Sequence, residues 1–174
     1  MIAALVLPSS TRVLSLNSAQ LRALNTDAVH ALTTAQIVAL NSAQLSVLTT
    51  SQVTALTTAQ VVALSSDQLA SLSSTQLASF TTAEIAAIET GDLAGLNSAQ
   101  LRALGTDDVH ALTTAQIVAL SSAQLASLTT TQVAALTTAQ IATIETGDVS
   151  GLTSTQIGAL NTAQVAALTT AQIA

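Results

Sequence analysis

The sequence predicts an all-α fold, a solenoid or superhelix of very short helices with one helix per eight-residue repeat. Three observations carry that prediction. The first is the repeat itself: from Leu16 onward the chain reads as twenty octads, in phase and without insertion, the last one a residue short. Leu112-Thr113-Thr114-Ala115-Gln116-Ile117-Val118-Ala119 is a typical one. The second is the placement of apolar residues. Counted from the leading residue of each octad, position 1 is Leu in seventeen octads and Phe80, Ile88 or Ile144 in the others, while position 6 is Leu, Val or Ile in all twenty. The third is a helix-start signal. Position 2 is Thr, Ser or Asn in seventeen octads, position 3 is always Ser or Thr, and position 5 is Gln in fifteen octads and acidic in four.

A hydroxyl or Asn followed three residues later by Gln or an acid is the capping box, in which each side chain satisfies the other residue's free backbone N–H. Position 1 then precedes the cap and position 6 falls at the fourth helical residue, the spacing of the hydrophobic staple. A continuous helix needs no new cap in every octad. At about 100° per residue an octad advances roughly 800°, so an unbroken rod would rotate its apolar stripe by about 80° each time and could not bury it against one partner. The chain is therefore read as helices of about one and a half turns, too short to persist alone in water. They must stack on one another, which is the logic of a solenoid. Position 8 is small in every complete octad except at Val47, which suits a tight corner, and position 7 accepts residues as different as Arg22, His30, Ser46 and Val62, as a surface position would. A β-solenoid competes, because Thr, Val and Ile favour strands. A straight strand, however, would put positions 1 and 6 on opposite faces, and Ala and Gln favour helices.

Taken in order, residues 1–15 are expected to form an N-terminal cap and a degenerate first repeat. Met1-Ile2-Ala3-Ala4-Leu5-Val6-Leu7 is apolar but lacks a basic flank and is too short for a signal or a membrane span. Pro8 then takes position 1, Ser9 can cap, and Val13 takes position 6. Residues 16–174 are expected to be the octapeptide-repeat solenoid, a single domain with no linker, proline or composition shift. Residues 16–40 recur at 96–120, differing at Asn25/Gly105 and Ala28/Asp108, and Ile88-Glu89-Thr90-Gly91-Asp92 recurs as Ile144-Glu145-Thr146-Gly147-Asp148. The unequal offsets indicate growth by several duplications.

Composition excludes several function classes. The formal charge is −6 with three strong cations, Arg12, Arg22 and Arg102, so no cluster exists to neutralise nucleic-acid phosphates. There is no cysteine for a disulfide or a thiolate metal site. Hydroxyls interrupt every octad, so no membrane span is expected. Phe80 is the single aromatic residue, which leaves Leu, Ile, Val and Ala to build the core.

Few residues suggest chemistry. His30 and His110 occupy position 7 of equivalent octads, with Asp27 and Asp107 three residues before them. Asp-x-x-His on one helix face offers two metal ligands, and an imidazole can ligate haem iron. No further His or Cys is placed to complete a site, so the pairs read as exposed helical residues copied by duplication. Glu89 with Asp92, and Glu145 with Asp148, could serve as paired acids or calcium ligands, but acids at a first turn match the helix dipole. Gly91 and Gly147 lack phosphate-loop spacing and suggest a local backbone variation. No base is placed consistently beside any hydroxyl, so no nucleophile is expected. A lattice of Thr hydroxyls could bind ice only if capping did not consume them. The expectation is accordingly no catalytic residue, no resident metal and no cofactor.

The motif Leu-Thr-Thr-Ala-Gln-Ile/Val-x-Ala-Leu, together with the Ile-Glu-Thr-Gly-Asp variant, resembles the octapeptide-repeat tracts of large bacterial proteins, some labelled haem-utilisation or adhesin-like. The resemblance spans residues 16–174 and transfers no functional residue. Leu32-Thr33-Thr34-Ala35-Gln36-Ile37-Val38-Ala39-Leu40 is also similar to the helix start of the TAL-effector repeat, but that family's longer period, base-reading loop and basic stripe are missing. The resemblance implies a non-enzymatic structural module, a spacer, stalk or scaffold of a cell-surface or secreted protein. Apolar ends would let such an array form a homo-oligomer. The alternative is a solenoid that binds a protein, a peptide or haem.

Overall fold

The computed structural model describes residue 13 and residues 15–173. The expected N-terminal cap over residues 1–7, and the degenerate octad apart from Val13 and Ser15, lie outside the described residues. The described residues form nineteen helices of four to six residues and no strand. One helix falls in each octad from Leu16 to Ala167, so the all-α, one-helix-per-octad expectation holds.

The octad beginning at Leu112 shows how the sequence folds locally. Leu112 and Thr113 are extended, and the Thr113 hydroxyl accepts from the Gln116 N–H at 3.1 Å while Gln116 Oε1 accepts from the Thr113 N–H at 2.8 Å. These two bonds start the helix Thr114–Ala119 by satisfying two of its free donors. It ends because Leu120 is again extended, at φ −75 and ψ 132, with its N–H bonded to the Ile117 carbonyl at 3.2 Å. No described residue has a positive φ, so no corner depends on a glycine in the left-handed region.

Two variant caps coincide with altered helices, whereas Gly105, which also lacks a side-chain cap bond, still starts the six-residue helix Thr106–Ala111. Glu89 and Glu145 make no side-chain cap bond; their octads form a 3₁₀ helix, Thr90–Gly95, and a four-residue helix, Thr146–Val149. Gly91 and Gly147 are not what shapes them: a Cβ at either would meet nothing within 4 Å. The glycines with a steric role are the position-8 pair, Gly95 and Gly151. A Cβ at Gly95 would stand 2.6 Å from the Ser66 carbonyl oxygen, and one at Gly151 would stand 3.0 Å from Ser122 Cβ.

Each helix packs against the helix three octads further on, as Thr82–Ala87 does against Thr106–Ala111 and Thr114–Ala119 against Thr138–Thr143. Side-chain hydrogen bonds between turns span 25 to 31 residues, so one superhelical turn takes just over three octads. Positions 1 and 6 meet inside. From Leu21 to Ile141 each position-6 residue is at most 1% exposed, and from Leu32 to Ile144 each position-1 residue is at most 7% exposed. Burying a Leu or Ile to this degree contributes roughly 1.5–3 kcal/mol, and the buried residues form one continuous core along the stack. In the final turn position 6 is uncovered: Ile157, Val165 and Ile173 are 38%, 51% and 68% exposed.

Candidate functional site

Position 5 is where the structure departs most from the sequence reading. A capping side chain at a first turn is expected near the surface, yet Gln52, Gln60, Gln100, Gln116, Gln132 and Gln140 are each at most 2% exposed. The amide does two jobs. Its Oε1 accepts from the cap N–H of its own octad, and its Nε2 donates to two backbone carbonyls of the preceding turn. Gln52 Nε2 reaches the carbonyls of Leu21 and Leu24, both at 2.7 Å, and Gln132 Nε2 reaches those of Leu101 and Leu104, both at 2.8 Å. The acceptors always lie 31 and 28 residues back, at a position 6 and the next position 1. Thirteen glutamines from Gln44 to Gln172 make this double bond, at 2.6–3.2 Å.

The carbonyl of position 1 belongs to the extended residue between two helices, so no helix partner serves it. Buried unpaired, such a group is expensive. The glutamine donor meets that need and fixes each turn on the one below. A signal for this existed in the sequence. Capping needs an acceptor alone, for which Glu would serve, yet position 5 holds fifteen Gln and one Glu. The preference marks a need for donors.

Four described octads carry an acid there instead. Glu84 is 3% exposed; one carboxylate oxygen accepts from the Thr81 N–H at 2.5 Å, while Oε1 is buried with no hydrogen-bond partner. Asp108 accepts from the Gly105 N–H at 2.9 Å. Burial pushes the Asp108 carboxyl above its ordinary value; the Gly105 bond opposes this and the Asp107 charge adds to it. Asp148 accepts from the Ser122 hydroxyl, and Asp92 is half-buried in the 3₁₀ helix. None of the four can donate to a carbonyl as an ionised group.

The histidine candidates stand apart from all this. His30 and Asp27 lie exposed on the helix Thr26–His30, and His110 and Asp107 lie exposed on Thr106–Ala111. Among the described residues no group of three His, Cys, Asp or Glu side chains is placed to hold a metal ion. The structure thus brings neither pair to a third ligand. Glu89 and Glu145 are likewise exposed, so the two acid pairs do not gather into one site.

The outer surface repeats as the interior does. A shallow groove of about 470 Å³ between turns is lined by Thr26, Thr50, Ser51, Thr54, Ala55 and Ser79. Its counterpart of about 450 Å³, at the same octad positions, is lined by Thr90, Thr114, Ala115, Val118, Ala119 and Thr143. Neither groove holds a charged residue. Position 7 adds further bonds between turns: Arg22 Nε donates to the Val47 carbonyl at 3.1 Å, and Arg102 Nε to the Ser127 carbonyl at 2.8 Å. No described helix is long and apolar enough to cross a membrane.

A family model described as the ALTTAQ repeat matches residues 13–42, 29–58, 38–66, 51–82, 85–122, 117–143 and 141–174, which together cover nearly all of the chain. The chain belongs to the ALTTAQ repeat family. Comparisons with curated proteins and with solved structures found no match. In this ALTTAQ array the Gln of the motif is the side chain that bonds one turn to the next, and the second Thr of Thr-Thr is the first helical residue rather than the cap.

Proposed function

We propose that this ALTTAQ array is a non-enzymatic structural module, a rigid spacer or scaffold segment within a surface-exposed or secreted bacterial protein. The observation that supports it is the engagement of the buried position-5 amides with backbone carbonyls of the preceding turn. The interior polar groups hold the array together, and the exterior is mostly hydroxyls and small apolar side chains without a reactive cluster. End-to-end self-association fits the same reading, since the final turn exposes Ile157, Val165 and Ile173.

Rigidity tests the proposal. The chain has no cysteine, so spin labels can be placed at exposed position-7 sites six octads apart through Ala94→Cys and Ala142→Cys. A spacer gives one narrow inter-label distance distribution that is unchanged by viscosity or crowding. A broad distribution would reject the spacer reading. For self-association, sedimentation velocity over a concentration series is expected to show growth that Val165→Asp abolishes.

A further inference from the structure

The cross-turn glutamines stand in three columns, because octads three apart are stacked. One column holds Gln52, Gln76, Gln100 and Gln124, a second holds Gln44, Gln68, Asp92, Gln116 and Gln140, and the third holds Gln60, Glu84, Asp108 and Gln132. The third is the one with two successive interruptions. There, the carbonyls of Val53 and Leu56 face Glu84's octad, and those of Leu77 and Phe80 face Asp108's octad, without receiving a side-chain donor. Asp92 likewise leaves Val61 and Leu64 unserved. Between Gln76 and Gln116 the sole amide tying one turn to the turn below is Gln100, bonded to Leu69 and Leu72 at 3.0 and 2.8 Å.

The neighbouring column is held most closely at the same level. Gly95 lets the 3₁₀ helix Thr90–Gly95 sit directly on the Ser66 backbone, next to the Gln100 bonds. One side of this level is therefore backbone on backbone with buried directional hydrogen bonds, while the other has apolar contact and, at its exposed edge, the Thr54 hydroxyl donating to the Ser79 carbonyl at 2.9 Å. Apolar contact has no preferred direction and tolerates tilting, whereas hydrogen bonds fix orientation. The buried Glu84 Oε1, which has no partner, lies on the loosely held side.

We infer that the solenoid has a built-in hinge here, pivoting about Gly95–Ser66 and Gln100 and opening along the Glu84–Asp108 column, which divides the array into two separately cooperative blocks. Repeat arrays open where an interface between neighbouring units is weakest. The blocks are residues 15–80, tied by Gln44 to Gln76, and residues 81–173, in which Gln116, Gln124, Gln132 and Gln140 tie the turn at 85–112 to the one above.

Native-state hydrogen exchange of the full chain across a urea series, read by peptide mass spectrometry, tests this. Peptides before and after residue 80 are expected to exchange in two separate urea transitions. The variant carrying Glu84→Gln and Asp108→Gln supplies donors for the unserved carbonyls and is expected to merge the two transitions and to slow exchange in the less stable block by at least tenfold. Asp27→Gln together with Asp67→Gln removes the same two charges from exposed position-4 sites with no carbonyl to serve, and should leave the two transitions apart. The hinge is overturned if the unaltered chain opens as one unit, if Glu84→Gln with Asp108→Gln leaves the two transitions unchanged, or if Asp27→Gln with Asp67→Gln merges them as well.

Discussion

A single group distinguishes what Gln and Glu can do at position 5, an amide nitrogen that donates in place of a second oxygen that accepts. Replacing Gln132 by Glu keeps the cap bond and removes both cross-turn donors, so it should destabilise by about 1–3 kcal/mol, and Gln132→Ala by about 2–4 kcal/mol, at net values near 1 kcal/mol per bond. The reverse change, Glu84→Gln, should raise the urea midpoint, since the new Nε2 would find the Val53 and Leu56 carbonyls. Equilibrium urea unfolding checks all three, and a Glu84→Gln variant no more stable than the parent would contradict the assignment of that amide's role. Asp108 adds a pH dependence whose sign follows from its raised pKa. The protonated form is favoured in the folded chain, so its stabilising effect is complete below the ordinary carboxylate value of 3.8 and is lost as pH rises through the higher folded value. Asp108→Asn should therefore be more stable than the parent at pH 7, and the difference should vanish at low pH.

At the scale of one octad, the local design was legible in the sequence. The position-2 cap, the position-5 partner and the two core positions follow from spacing, because capping and amphipathicity act within one helix. Removing the cap hydroxyl by Thr113→Ala should cost about 1 kcal/mol, measured by the same unfolding experiment. The second role of glutamine was not read, although the choice of Gln over Glu signalled it, because its acceptors lie 28 and 31 residues away and no local rule points there. The glycines show the same limit. Gly91 and Gly147 draw attention in sequence, flanked by Thr and Asp, yet they have open space. Gly95 and Gly151 lie against backbone or a side chain three octads back. Gly95→Ala should thus destabilise by about 1–3 kcal/mol through forced displacement of Ser66. Gly91→Ala should be neutral or stabilising by up to about 1 kcal/mol, as loss of chain freedom in the unfolded state dictates. Equal effects at the two sites would count against the packing described for Thr90–Gly95.

Across the whole molecule, the class of fold was readable while the pitch was not. That short helices must stack follows from their length, but just over three octads per turn is set by the reach of a glutamine side chain and by how closely position 8 allows backbones to approach. His30, His110, Asp27 and Asp107 carried the sequence's best hint of a ligand site. They lie exposed in two pairs because positions 4 and 7, which they occupy, face outward. Haem titration of the full chain should give no Soret shift, and a shift lost in His30→Ala with His110→Ala would restore the binding alternative.

The extended joint at position 1, built without a positive φ anywhere among the described residues, has a genetic consequence. Since every joint is made the same way, excising residues 129–136 brings together two halves that still agree in phase. Gln140 then inherits the Leu101 and Leu104 carbonyls that Gln132 had served. Such an excision should leave helicity per residue unchanged by circular dichroism, whereas inserting a single alanine at the same place would throw Gln132, Gln140 and Gln156 off their acceptors. Recombination in whole repeats can therefore lengthen or shorten this molecule freely, and the gene can drift in copy number while each surviving copy remains foldable.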